Sequence, residues 1–215
     1  MTLSLPRRSI LALGITATVS ACSTSKPKAQ TPKKERPPYR GPLVRPENIP
    51  GDFLWQQRVS AKHADKSGAF DAVLQKQGAE LLVLGLTPFG TRGFSLKQKG
   101  THFEYEQYVP FELPFSPEAV LIDIHRTFFY ALDEEALPNS GKREGSWESE
   151  ALVDEFRKSR LVSRRYENVS GLSQPIEIAY SGTGYAPFEP PKKVTIKNRA
   201  YAYTLTVETE STQAL

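Results

Sequence analysis

The chain has 215 residues, 28 Lys and Arg against 24 Asp and Glu, a net charge of +4 and a single cysteine. Much of the basic excess lies in Arg7, Arg8, Lys26, Lys28, Lys33, Lys34, Arg36, Arg40 and Arg45. The rest is near neutral, which argues against a nucleic-acid surface. One cysteine excludes an internal disulfide framework, so stability has to come from an apolar core.

Arg7 and Arg8 supply a basic n-region, and Ile10 to Val19 a short apolar run, too short to span a bilayer as a mature helix. The Pro6-Arg7-Arg8-Ser9 stretch reads as an ordinary n-region, with a faint likeness to a twin-arginine signal. Val19-Ser20-Ala21-Cys22 then resembles a bacterial lipobox: a branched residue, two small ones, cysteine. That resemblance implies that residues 1–21 are a signal peptide and that Cys22 is acylated. Several acyl chains make a lasting anchor, since each buried methylene contributes ~0.8 kcal/mol. Ser23 is not the aspartate that marks inner-membrane retention, which favours the outer membrane. Residues 22–50 read as a lipidated, disordered, basic tether with seven prolines and few large apolar residues. A flexible chain of that length reaches about 30 Å.

From residue 51 to 210 the texture is that of one domain, with 211–215 as a flexible tail. Phe53, Trp55, Gln57 and Val59 share a strand face, as do Phe70, Ala72 and Leu74, with Asp71 and Gln75 opposite. Leu81 to Leu86 is a continuous apolar run. Phe94 and Leu96, then Phe103 and Tyr105, alternate with polar neighbours. Turns are expected at Lys66-Ser67-Gly68, Gln77-Gly78 and Lys99-Gly100.

Ser116-Pro117-Glu118 breaks the rhythm. A hydroxyl N-cap, a proline at the first helical position and an acid in the first turn open a helix that runs to about Tyr130. At 100° per residue, Val120, Leu121, Ile124 and Phe128 form an apolar stripe widened by Ile122 and Phe129. Asp123, Arg126 and Thr127 are expected on the opposite side. A polar loop is expected over about 133–146. Strands follow near Trp147 to Phe156, Leu161 to Tyr166, Ile176 to Tyr180, Val194 to Ile196 and Tyr201 to Val207. Arg164 and Arg165 suggest a face in water, and Glu189-Pro190-Pro191 must be a connection. About nine or ten antiparallel strands and one apolar helix predict a mainly β fold, a barrel or half-barrel wrapped on the helix.

Chemistry is sparse. His63, His102 and His125 have no metal-ligand spacing, and no cysteine is free to join them, so no metal site is expected. There is no nucleophile elbow, phosphate loop or dinucleotide fingerprint, and no cofactor is implied. Gly182-Thr183-Gly184 sits between strands, not ahead of a helix. His125 lies among apolar helix residues and reads as a core-edge histidine with satisfied ring nitrogens. No enzyme class emerges. The unusual feature is the loop Gly85-Leu86-Thr87-Pro88-Phe89-Gly90-Thr91. Its aromatic is either packed back on the barrel, which the residues alone favour, or presented outward.

The lipobox, the Pro-rich tether, Phe53-Leu54-Trp55-Gln56-Gln57-Arg58 and Leu82-Val83-Leu84 leading into Thr87-Pro88-Phe89-Gly90 resemble the LolB family of outer-membrane lipoprotein receptors. Leu113-Pro114-Phe115-Ser116 before the helix and the stretch from Pro190 to Val207 are similar too. A nearer resemblance is to an uncharacterised family of proteobacterial envelope lipoproteins with a LolA/LolB-like fold. It is carried by Phe53-Leu54-Trp55, Phe70-Asp71-Ala72-Val73-Leu74-Gln75-Lys76, Pro88-Phe89-Gly90, Leu113-Pro114-Phe115 and Phe128-Phe129. The resemblance implies an unclosed antiparallel barrel lidded by an apolar helix around a cavity for acyl chains. Leu82, Leu84, Phe94, Leu96, Phe103, Ile124 and Phe128 would line it. Leu86, Pro88 and Phe89 would form a membrane-facing loop, with Phe89 in place of a protruding leucine. The implied partners are the outer membrane, a lipid or acylated cargo and a LolA-like periplasmic carrier. The alternative is an accessory envelope protein that acts through protein contacts at Trp147, Arg164, Arg165 and the tether.

Overall fold

A computed structural model describes residues 40–110, 116–130, 138–148, 150–167, 169, 174–182 and 189–215. The signal, Cys22 and most of the tether lie outside these, as do Leu113, Pro114 and Phe115. Residues 37–215 form one compact unit.

Eleven strands make one antiparallel sheet: β1 (Phe53–His63), β2 (Lys66–Gln77), β3 (Glu80–Leu86), β4 (Arg92–Lys99), β5 (His102–Gln107), β6 (Ser140–Trp147), β7 (Glu150–Arg157), β8 (Arg160–Tyr166), β9 (Ile176–Ser181), β10 (Lys193–Asn198) and β11 (Tyr203–Ala214). Their spatial order is β5-β4-β3-β2-β1-β11-β10-β9-β8-β7-β6. The edge strands β5 and β6 do not pair, so the barrel is unclosed. Between them in sequence lies α1 (Pro117–Ile124), continued by a π turn over His125–Phe129. This one element touches β4, near one edge, through His125 and Gln98, and β7, near the other, through Arg126 and Glu150. A sheet that contacts the same helix from both flanks has to curl around it.

The alternation expected for β1 and β2 is realised. Phe53, Trp55, Gln57 and Val59 are buried, and Ala72 and Leu74 share their face. Trp55 meets Phe128 edge-on with ring centroids 5.7 Å apart, and Phe53 lies 6.2 Å from Phe129. Leu74, Leu81, Leu96, Leu121 and Ile122 fill the space between.

Several expectations are corrected. The β1–β2 turn falls on Ala64 and Asp65, not on residues 66–68, because Lys66, Ser67 and Gly68 pair with His63, Lys62 and Ala61. The stretch expected as a polar loop contains β6, an exposed edge strand whose glycines and charges hide any alternation. Residues 211–214 are not a loose tail: β11 pairs with β1 as far as Ala214 opposite Phe53. The packed chain also begins before residue 51. Val44, Pro46 and Ile49 are buried, and a Cβ on Gly41 would stand 2.7 Å from Ile122 Cγ2. Apolar side chains this sparse still form a strap, tied to the helix at Gly41 and at Val44, whose N–H donates to His125.

The largest correction concerns the helix. Asp123, Arg126 and Thr127 are buried, like the apolar stripe. Glu118 in the first turn stays exposed, but from Leu121 onward the sheet encloses the helix, so the charges there need internal partners. Tyr203 donates its hydroxyl to Asp123. Arg126 Nε donates to Glu150 at 2.9 Å, and a second guanidinium nitrogen completes the pair. Arg164, expected in water with Arg165, is also buried; only Arg165 is exposed. Arg164 forks onto Asp154 with two bonds of 2.8 Å. Its remaining nitrogen donates to the backbone carbonyls of Tyr130 (2.7 Å) and Arg126 (3.2 Å). Tyr166 and Tyr180 donate to the carbonyls of Arg126 and Thr127. The barrel wall thus ends the helix, since the last carbonyls of any helix lack partners of their own. Burial alone would work against the charge on Arg164. Tyr166 and the Asp154 carboxylate outweigh it and hold the guanidinium above its ordinary pKa.

Candidate functional site

The strands that lead into the 87–91 turn end beside the projecting β1–β2 hairpin. β2 pairs with β3 only from Asp71 onward, so residues 66–70 outrun the neighbouring strand. At this end the inner face carries small residues: Ala61, Gly68 and Gly85. The result is a half-open apolar pocket of about 550 Å³ whose walls include Phe70, Leu86, Phe94 and Val109. That volume falls within the ~300–1,000 Å³ of typical small-molecule sites. Its floor depends on Gly85, since a Cβ there would lie 2.0 Å from Phe94 Cε1. The missing side chain is what lets the Phe94 ring lie across β3.

The rim is a tight turn. Gly90 N–H donates to Thr87 C=O at 2.9 Å, and Thr87 N–H donates to Thr91 C=O at 2.8 Å. The Thr87 hydroxyl lies 2.8 Å from that of Thr91 and accepts from the Phe89 and Thr91 amides at 3.3 Å. Pro88 presets the first corner, and Gly90 takes φ +75°, a conformation glycine adopts without penalty. The turn is held by its own hydrogen bonds, and Phe89 is 91% exposed. This corrects the packing-back favoured from the residues alone: a five-residue staple leaves the aromatic no route to the core.

The cavity-lining candidates separate. Phe94 lines the pocket. Leu96 and Phe128 belong to the filled core, with Phe103 and Ile124 half-buried against it. Leu82 and Leu84 lie on the opposite face of β3 from the buried Leu81 and Val83. Leu86, Pro88 and Phe89 come together at the rim. The small residues Ala61, Gly68 and Gly93, which also bound the pocket, were missed by the sequence reading. The one available signal was their clustering at the ends of paired strands.

His125 is held on both ring nitrogens. Nε2 lies 2.7 Å from Gln98 Oε1, and Nδ1 accepts from Val44 N–H at 3.3 Å. Gln98 in turn donates to the carbonyls of Val44 and Gly100. Burial pushes the imidazole pKa down to about 3, so this is a neutral ring tying the strap to β4. Among the described residues no group of three or more His, Cys, Asp or Glu is placed to hold a metal. Nor is any helix among them long and apolar enough to cross a membrane.

Residues 54–211 match the family described as "Protein of unknown function (DUF3261)". The chain belongs to this family. No curated protein matches it. Among solved structures it is similar to a domain from Vibrio parahaemolyticus described as an outer membrane lipoprotein-sorting protein. That likeness has a TM-score of 0.50 and 12% identity over 79% of this chain and 87% of the other. It is also similar to a LolA superfamily protein from Nitrosomonas europaea (TM-score 0.47, 10% identity, 77% and 86% covered). A third neighbour is a DUF1329 family protein from Desulfovibrio piger (TM-score 0.44, 9% identity, 78% and 87% covered). The fold is therefore an unclosed antiparallel half-barrel of the kind seen in the Vibrio domain, and the chain is a DUF3261 protein built on it.

Proposed function

We propose that this DUF3261 protein is a non-enzymatic lipoprotein, held in the outer membrane by acylated Cys22. In this reading it takes up a lipid or acylated molecule from a LolA-like periplasmic carrier and delivers it to the bilayer. The observation that carries the reading is the apolar pocket rimmed by the stapled, outward-facing Phe89 turn. An acyl chain gains ~0.8 kcal/mol per methylene in the pocket, about what the bilayer returns, so transfer between them is nearly isoenergetic and needs no catalytic group. The description of the Vibrio domain as a lipoprotein-sorting protein supports this through the fold alone.

The test is binding of a fluorescent fatty acid to the compact unit from Pro37 onward. Gly68 faces the pocket with nothing within 4 Å of a Cβ and no positive φ. Gly68→Phe therefore fills the pocket, and affinity is expected to fall at least about tenfold with an unchanged urea midpoint. Unchanged binding by that variant would sink the reading. Delivery has a separate test. Phe89→Ser removes a side chain that packs on nothing, so stability is expected to hold while partition onto phospholipid vesicles drops about tenfold. Equal partition would remove the turn from any membrane role. The filled barrel centre favours the second reading, an accessory protein acting through contacts. Arg164 is buried and cannot serve there, which leaves Arg165 and the half-buried Trp147.

A further inference from the structure

The residues at the pocket mouth say what kind of head group its occupant carries. Of the sixteen residues that line the pocket, only Lys66 and His63 are ionisable, and none is a carboxylic acid. The two stand opposite each other across β1 and β2, on the inner face where the hairpin outruns β3. Lys66 is exposed at the rim, and His63 is half-buried beside it. Lys76, the other lysine on the inner face of β2, lies at the far end of the strand and pairs with Asp52 at 2.8 Å, while Lys62, beside His63, is exposed on the outer face. Lys66 has no such carboxylate partner among the described residues. The nearest acid in sequence, Asp65, sits in the turn and does not line the pocket.

Resting on the lipid-binding reading above, we propose that the pocket takes an anionic amphiphile with one acyl chain. Its chain lies on Phe70, Phe94 and Val109, and its carboxylate or phosphate meets Lys66, with His63 alongside. An ammonium is a compact donor that accepts either anion from a range of directions. A neutral head group leaves that charge unanswered and gains only the apolar contact. The pocket would thus sort its cargo by charge at the mouth while the walls read only chain.

The experiment uses the full chain in phosphatidylcholine nanodiscs and three photoreactive probes of equal chain length: palmitate, lysophosphatidate and hexadecanol. Labelled peptides are counted by mass spectrometry. In the wild type the anionic probes are expected to label residues 66–70 and 91–94 about fivefold more than hexadecanol, the scale of one exposed charge pairing. Whichever of the two dominates identifies carboxylate or phosphate as the preferred head, and either supports the proposal. Lys66→Glu and the milder Lys66→Gln are expected to abolish the preference while hexadecanol labelling stays constant. Equal labelling by all three probes in the wild type overturns the proposal and leaves lipid binding intact. Absence of pocket labelling by every probe overturns the lipid-binding reading itself.

Discussion

Arg164→Met is expected to destabilise the domain by about 3–5 kcal/mol, the range for removing one partner of a buried ion pair. Asp154, itself buried, would be left without its cation, the Tyr130 carbonyl would lose its donor, and the Arg126 carbonyl would keep only Tyr166. For a domain of this size each kcal/mol shifts the melting temperature by about 2–4 °C, so thermal unfolding should move by about 10 °C. The double variant Arg164→Met with Asp154→Leu removes both charges and should recover much of the loss. Recovery stops short by about 1–3 kcal/mol because the Tyr130 carbonyl stays without its donor. If the single variant loses under about 1 kcal/mol, or the double recovers everything, the wall of the barrel does not end the helix in the way described.

That network also shows where sequence reading stops. Strand alternation from Phe53 to Val59 is legible because one face meets the core and the other meets water. Ser116 and Pro117 announce the helix start because Ser and Pro suit the cap and the first helical position, though the Ser116 hydroxyl makes no cap bond. Arg126 and Arg164 are not legible, since periodicity sends charge to solvent and their partners Glu150 and Asp154 are known only once β7 is in place. Leu82 and Leu84 fail for a different reason. An unbroken apolar run has no alternation, so only the pairing of Leu81 with Gln98 and Val83 with Leu96 tells the inner face from the outer. At the site, Pro88-Phe89-Gly90 announces a turn, but nothing local says that Thr87 and Thr91 staple it. The pocket is made of missing side chains at Ala61, Gly68 and Gly85, residues of three different strands whose smallness means something only when the strand ends are brought together.

Acidification provides the second large effect, and its sign follows from His125. Its folded pKa is pushed down to about 3 from an ordinary 6.5. The unfolded chain therefore binds a proton that the folded one refuses. Stability from this residue is fully present above pH 6.5 and is lost as pH falls toward 3, at up to ~1.4 kcal/mol per unit and about 5 kcal/mol in all. The groups around the ring, Gln98, Val44 and Phe129, are uncharged and offer the imidazolium no relief. His125→Gln should cost about 1–3 kcal/mol at pH 8, where a ring hydrogen bond is lost. On acidification below pH 6.5 the wild type should fall faster, so the two urea midpoints converge and then cross. The carboxylates held low by hydrogen bonds, Asp52 with Lys76 and Glu208 with Lys193, are common to both proteins and cancel in the difference. Parallel midpoints between pH 8 and pH 4 would mean that the ring takes up its proton in the folded state, and that the strap from Arg40 to Ile49 lets go of the helix as it does.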